Sequence, residues 1–465
     1  PEPDPPPLIF ERREVGSLGS DNEAWDDVML HYALAVRTMQ QRNPAAETSW
    51  DYQAGIHGRA SSEPQLDLFS TCAHAIWHFL DWHRGYLYQF EKIVRAAVVA
   101  NGGPTDWALP FWDYSEAQGR ALPWVFRQPT LPDGSPNPLR VEQRRADRNA
   151  GSPMSVIDTD HTVAFQTTVF AGDGLVEVGF GGMAPTLGRA FGDLENRPHN
   201  AIHVAINGWM GNPATAAQDP IFWVHHCNID RLWEVWNRDG NANTGEAAWL
   251  SNTHQFYDET STKVTMSTSG MQDIEGQLGY TYAGLAAPSG PAEPGFGLAP
   301  EEGEPAVPDD TPAEMVGATE EALTLAGDVA TTSLQLTPTG PGHFGLDAGA
   351  NEPQRVFLVV DNVTAEEAPS ANYAVVLDMG DPSDRDDFTV GVLSFFGVAQ
   401  ASTDDSDRGA HGMRLSFEIT DVVAELRRRD QWNEDDVRIR IEPTEPVEDD
   451  EPTEISVGRI SIYYR

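Results

Sequence analysis

Residues 198–236 read PHNAIHVAINGWMGNPATAAQDPIFWVHHCNIDRLWEVW. His199 and His203 stand four apart behind Pro198, a residue favoured in the first turn of a helix. That spacing puts both imidazoles on one helical face, where two ring nitrogens can hold one metal ion. Farther on, His225 and His226 open a second apolar stretch, and Asp230 follows one turn after His226. Neutral imidazoles suit copper, zinc or iron and suit calcium or magnesium badly. A lone HxxxH pair also describes ordinary helix surface, so the rest of the chain has to decide.

The second informative stretch is 50–92, WDYQAGIHGRASSEPQLDLFSTCAHAIWHFLDWHRGYLYQFEK, with His57, His74, His78 and His83 among tryptophans, phenylalanines and tyrosines. The whole chain has 13 histidines in 465 residues, so this density is unusual. His74 and His83, nine apart, lie about 180° apart on a continuous helix. They can share a metal only if a helix begins between them, with Asp81 as an N-cap for that break. On spacing alone, His74 and His78 on one unbroken helix are the better pair. Two cysteines, Cys72 and Cys227, are too few for a disulfide framework and read as small buried hydrophobes.

Seventy-two acidic residues against 30 lysines and arginines give a formal charge of −42. Nucleic acids and anionic membranes both require a cationic footprint, so neither is an expected partner. The charge reads as a heavily hydrated surface suited to high salt. No apolar run approaches the length of a membrane span. The opening PEPDPPPLIF has no secretory apolar region, so the expectation is a soluble chain without a signal or membrane-spanning segment of its own. Numbering from Pro1 leaves open a leader removed earlier, and the compartment is unspecified.

Residues 21–42 carry apolar residues at helical period, with an acidic start and a basic end that complement the helix dipole. Residues 101–190 read as loops and short helices. Residues 285–322 concentrate Pro, Gly, Ala and acid, as an extended linker does. From 354 onward the period becomes two: RVFLVV, NYAVVLDM, FTVGVLSFFGV, MRLSFEIT, VRIRIEP and ISVGRISIYY alternate with acidic or Gly/Pro turns. One helix interrupts them at 421–429, with Thr420 as its cap. The pattern fits an antiparallel β-sandwich of roughly 110 residues. The expected division is a catalytic domain over 1–255, a connecting segment and acidic linker over 256–345, and a C-terminal sandwich over 346–465.

HAIWHFLDWHRGYLYQFE and DPIFWVHHCNIDRLWEVW resemble the two copper motifs of the coupled binuclear copper proteins: tyrosinases, catechol oxidases and haemocyanins. ERREVGSLG, YALAVRTM and WDYQAGIHG, then YDE at 257–259, LGYTY at 278–282 and the closing ISVGRISIYY, extend the likeness to plant-type polyphenol oxidases. The resemblance implies a mainly α catalytic domain, a four-helix bundle holding a dicopper site, with a linker and a C-terminal antiparallel β-sandwich. It implies two copper ions, one on His57, His74 and His83 and the other on His199, His203 and His226. Its pattern selects His226 over His225 and displaces His78 from the ligand set. Asp230 becomes a candidate for orienting an imidazole.

Further implications follow from the same likeness. Glu195 and Asn200 match the residues thought to hold a basic water for monophenol hydroxylation, since a phenol of pKa about 10 needs a base nearby. Val204 and Pro213 would shape the substrate pocket, and Pro213, standing where many plant enzymes have a Phe, would leave it more open. No cysteine follows His57, so the plant thioether crosslink is expected to be absent, as are the N-terminal disulfides. The implied activity is oxidation of o-diphenols, and hydroxylation of monophenols, to o-quinones with O2. The C-terminal domain would keep the site latent until cleavage within 297–323, with the turn Leu393–Phe396 as a plug. The partners are then a phenolic small molecule and O2, with the oligomeric state unspecified. The alternative is a haemocyanin-like oxygen carrier; a hydrolase with one zinc on HxxxH would leave the first histidine cluster unexplained.

Overall fold

The computed structural model describes residues 8–18, 23–174, 176–285, 313–337, 355–379, 388–403, 412–447 and 453–465. Five helices set the frame of the N-terminal part: α1 (Asp27–Gln40), α2 (Trp50–His57), α3 (Phe79–Ala100), α4 (Ala201–Ile206) and α5 (Pro220–Arg238). Three of them, α1, α2 and α5, begin at a side-chain cap. The Asp26 carboxylate accepts from the Val28 N–H, and Ser49 Oγ accepts from the Tyr52 N–H. Asp219 accepts from the Ile221 N–H at 3.0 Å, and Pro220 stands at the first helical position. Both oxygens of Asp219 are gripped by Arg144 at 2.6 and 2.7 Å, fully out of solvent, which fixes where α5 starts.

Helix α3 packs against α1 on one side and α5 on another. Their apolar faces, with Met29, Val36, Leu87, Phe90, Val94 and Trp223, form one core. Helix α5 is buried nearly all round, as a central helix must be. A hairpin of β1 (Thr253–Tyr257) and β2 (Lys263–Ser267) lies against the start of α3.

The C-terminal part is a sandwich of antiparallel strands. One sheet runs in the order Met413–Glu418, Val356–Ala365, Ile455–Tyr464 and Glu314–Ala318, with Leu323–Leu325 also on the 455–464 strand. The other runs Thr389–Leu393, Tyr373–Leu377, Val437–Pro443 and Ala330–Leu334. The register pairs Leu358 with Ile462 and Val360 with Ile460, so the alternation of period two delivers four aliphatic side chains to one face. Ile439, Ile441 and Val375 of the other sheet meet them in a second core.

Three strands, within 314–334, fall in the span expected to be connecting segment. Glu314–Ala318 lies within the stretch whose composition reads as linker, and Leu323–Leu325 and Ala330–Leu334 mix Leu with Thr, Ala and Ser. They become strands by pairing with partners more than 100 residues later, a context no local window contains. Residues 286–312, and with them most of the expected cleavage segment, lie outside the described residues. Two caps also differ. Helix α3 starts at Phe79 behind His78, and Asp81 lies inside its first turn. The helix Thr420–Arg428 includes Thr420, whose hydroxyl accepts from the Val356 N–H instead.

Candidate metal centre

Four helices and one loop bring six histidines into one cluster, five of them buried and His74 half-buried. His57 ends α2, His83 lies one turn into α3, His203 is on α4, and His226 is on α5. His199 lies just ahead of α4, after an extended residue at Arg197, and His74 comes from the loop before α3. The break that His74 and His83 require is therefore present.

Backbone carbonyls set the tautomers. His57 Nδ1–H donates to the Pro213 carbonyl at 3.0 Å, His83 Nδ1–H to Phe79 at 2.8 Å, and His203 Nδ1–H to Met210 at 2.8 Å. A carbonyl oxygen only accepts, so each ring carries its proton on Nδ1 and turns a bare Nε2 lone pair inward. Asn200 Oδ1 takes the Nδ1–H of His199 at 2.9 Å in the same way.

Within the first trio the ring centroids are 5.2 Å (His57–His74), 5.5 Å (His74–His83) and 5.8 Å (His57–His83) apart. Within the second they are 4.6 Å (His199–His203), 4.7 Å (His199–His226) and 5.6 Å (His203–His226). The trios touch: His83 stacks on His226 at 4.4 Å, and His74 and His199 are 6.0 Å apart. His226 Nε2 faces the Nε2 atoms of His199 at 3.2 Å and His203 at 3.4 Å. Nitrogens bound to one metal at about 2.0–2.1 Å lie about 3.3–3.5 Å from each other, so this is the spacing of a ligand set.

Burial holds every one of these rings neutral. Desolvation drives His57 down to about 4, and His74, His83, His199, His203 and His226 well below the ordinary imidazole value. His57 Nε2 is buried with no partner among the described residues. Neutral, inward-facing nitrogens without donors are what copper needs. The residues present fit two ions, one per trio.

Other expected site residues fare differently. His225 lies in the second cluster too, with its Nδ1 facing the Tyr114 hydroxyl at 3.2 Å and its Nε2 buried without a partner among the described residues. Both oxygens of Glu195 accept from the Ala75 N–H, at 2.8 and 3.0 Å, and burial pushes its carboxyl well above the usual range. Asn200 Nδ2 is buried with no partner among the described residues. Pro213 borders the first trio through its carbonyl, and Val204 is wholly buried in the helical core.

Asp230 does not orient an imidazole. It accepts from Arg84 at 2.6 Å and from the Tyr280 and Tyr282 hydroxyls, both at 2.6 Å, with Arg12 at 3.4 Å. Burial pushes its carboxyl up, but the two guanidiniums outweigh that and hold it below the usual range. One turn along α5 carries Asp230 past the metal cavity into a polar knot joining α3, α5 and the 280–282 strand.

Two residues gain importance. Cys72, expected to be mere packing, sets its sulfur 3.3 Å from His83 Nε2 and 3.8 Å from His74 Nε2. Its position two before His74 was the available signal. Phe396, from the turn after the 389–393 strand, stacks on His203 at 4.0 Å and 19° and lies 5.6 Å from His74. Its neighbour Phe395 points the other way, into the sandwich core, while Phe396 joins the helical one. Gly397 follows with φ +82°, a conformation that lets the turn reverse beside Pro213.

Comparison with known proteins agrees with this geometry. A family model described as the common central domain of tyrosinase matches residues 47–168 and 126–239, and a domain of unknown function (DUF7868) matches 312–465. The chain is 31% identical to a chloroplastic polyphenol oxidase of Vitis vinifera over 56% of its own length and 46% of that protein's. Among solved structures, latent apple tyrosinase shares the fold over 99% of this chain and 98% of its own, with a TM-score of 0.67 at 20% identity. Tyrosinase HcTyr1 of Hahella sp. is 32% identical over 95% of this chain and 97% of its own length. Likeness of that extent, running through both parts of the molecule, means that the protein belongs to the tyrosinase family of binuclear copper oxidoreductases.

Proposed function

We propose that the protein oxidises o-diphenols, and hydroxylates monophenols, to o-quinones, and that its C-terminal sandwich keeps it latent. His57, His74 and His83 would hold one copper and His199, His203 and His226 the other. The observation that carries this reading is the two touching trios of neutral imidazoles. Bound copper supplies O2 binding and two-electron redox chemistry, which amino-acid side chains lack. One o-diphenol gives up two electrons and two protons to become the quinone, and two such oxidations reduce O2 to two waters. A monophenol consumes one O2, taking one oxygen atom and leaving the other as water.

The chain's own part is to orient the ring and move protons. Glu195 and Asn200 would hold a water that takes the phenolic proton. A carboxyl raised by burial is a stronger base once ionised than an exposed one. Pro213 and Val204 would bound the substrate space. Phe396 stacks on His203 where an incoming phenol ring would approach, which supports latency. The catalytic unit would span 1–255, followed by the 256–345 segment, whose strands within 314–334 belong to the sandwich. Cleavage within 297–323 would release it.

The test is quinone formation from dopamine and tyramine, before and after limited proteolysis. Turnover that rises on cleavage is expected. No quinone in either state, with two coppers bound, would overturn the reading.

A further inference from the structure

Asp81, in the first turn of α3, is wholly buried. A carboxylate taken out of water needs a compensating cation or a complete set of donors. Among the described residues its ionisable partners are two histidines and no arginine or lysine. His78 Nδ1 lies 3.2 Å from both carboxylate oxygens, and His254 Nε2, on β1, lies 2.7 Å from Oδ2. Asp230, equally buried, has two arginines in that role. The Thr268 hydroxyl completes the cluster with a 2.5 Å hydrogen bond to Oδ2.

The two imidazole nitrogens and the carboxylate lie within 4.8 Å of one another, and the rings cross at 77° with centroids 5.6 Å apart. Ligand atoms on a tetrahedral zinc stand about 3.2–3.5 Å from each other. His78 and Asp81 already have that separation, and His254 reaches it by withdrawing about half an ångström. The side chains of His78 and His254 keep 10% and 9% of their surface exposed, so the cluster has an open side.

We propose that His78, Asp81 and His254 form a third metal site, for one divalent ion of the zinc class, with solvent as its fourth ligand. The ion would neutralise Asp81 and clamp the start of α3, the helix that presents His83, to the β1–β2 hairpin. The site is separate from both histidine trios, and its occupancy is measured without reference to phenol turnover.

The experiment uses the copper-loaded full chain with Zn2+ alone as probe, followed by dialysis and elemental analysis. One zinc per chain is expected beside two coppers, together with a melting temperature raised by zinc. His254→Gln and Asp81→Asn should each lose the zinc and the thermal response while retaining two coppers. His254 sits at the rim, so its variant serves if Asp81→Asn fails to fold. A wild-type chain that keeps no zinc would overturn the proposal. So would a His254→Gln chain that keeps it, since zinc would then reside on surface carboxylates.

Discussion

Single side chains decide what the metal cavity does. His203 holds its place through the Met210 carbonyl, so His203→Ala removes one of the three inward lone pairs of the second trio. Copper per chain is expected to fall from two to about one, with turnover lost, read by elemental analysis and quinone absorbance. The Phe396 ring contributes about 1 kcal/mol of stacking, so Phe396→Ala should raise the activity of the intact chain about fivefold. An unchanged ratio of intact to cleaved activity would mean that another group closes the cavity. Glu195→Gln keeps the shape and removes the base. Tyramine hydroxylation should drop roughly 100-fold while dopamine oxidation stays near wild type. Equal loss on both substrates would assign Glu195 to structure alone.

Elements, in turn, hold the two parts together. The turn after the 437–443 strand places Glu445 against Arg145 at 3.2 Å, against Arg148, and against the Ser155 N–H at 2.7 Å. Asn372 of the sandwich donates to the Ala201 carbonyl at the start of α4, beside His199. Close by, Asp158 meets Thr444 at 3.1 Å. Burial first, and then the Glu445 charge, push the Asp158 carboxyl from its ordinary value up to about 7. A group raised by docking favours the docked state when protonated. That contribution is complete below about pH 4 and is lost as pH rises through about 7. The activity of the intact chain, divided by that of the cleaved chain, should therefore climb between pH 5 and 8. Asp158→Asn should flatten the climb, and a ratio that falls with pH would sink the idea.

Across the whole molecule, charge dominates. The net charge of −42 includes only two lysines, Lys92 and Lys263, among its cations. Like charges repel more in the compact state, and salt shortens their reach from about 10 Å at 0.1 M to about 3 Å at 1 M. The melting temperature should rise over that range, as scanning calorimetry can show; a flat or falling curve would contradict it. Much of this was legible in the chain itself. The helical period of α1 and the alternation of the 437–443 strand report which faces are buried, because burial there is a local pattern repeated along the element. The residue types of the two histidine motifs carried the metal chemistry, while spacing alone favoured His78 and the family resemblance replaced it with His83. Other features depend on partners distant in sequence. The 314–334 strands exist because later strands pair with them. Asp230 belongs to a knot of Arg12, Arg84, Tyr280 and Tyr282 drawn from three distant segments, and Asp81 belongs with His254. Phe396 reaches His203 across nearly 200 residues. Sequence determined which side chains could hold a metal, since that follows from donor type and period. Tertiary structure alone decided which of them meet and what covers them, because those contacts join segments that no local pattern links.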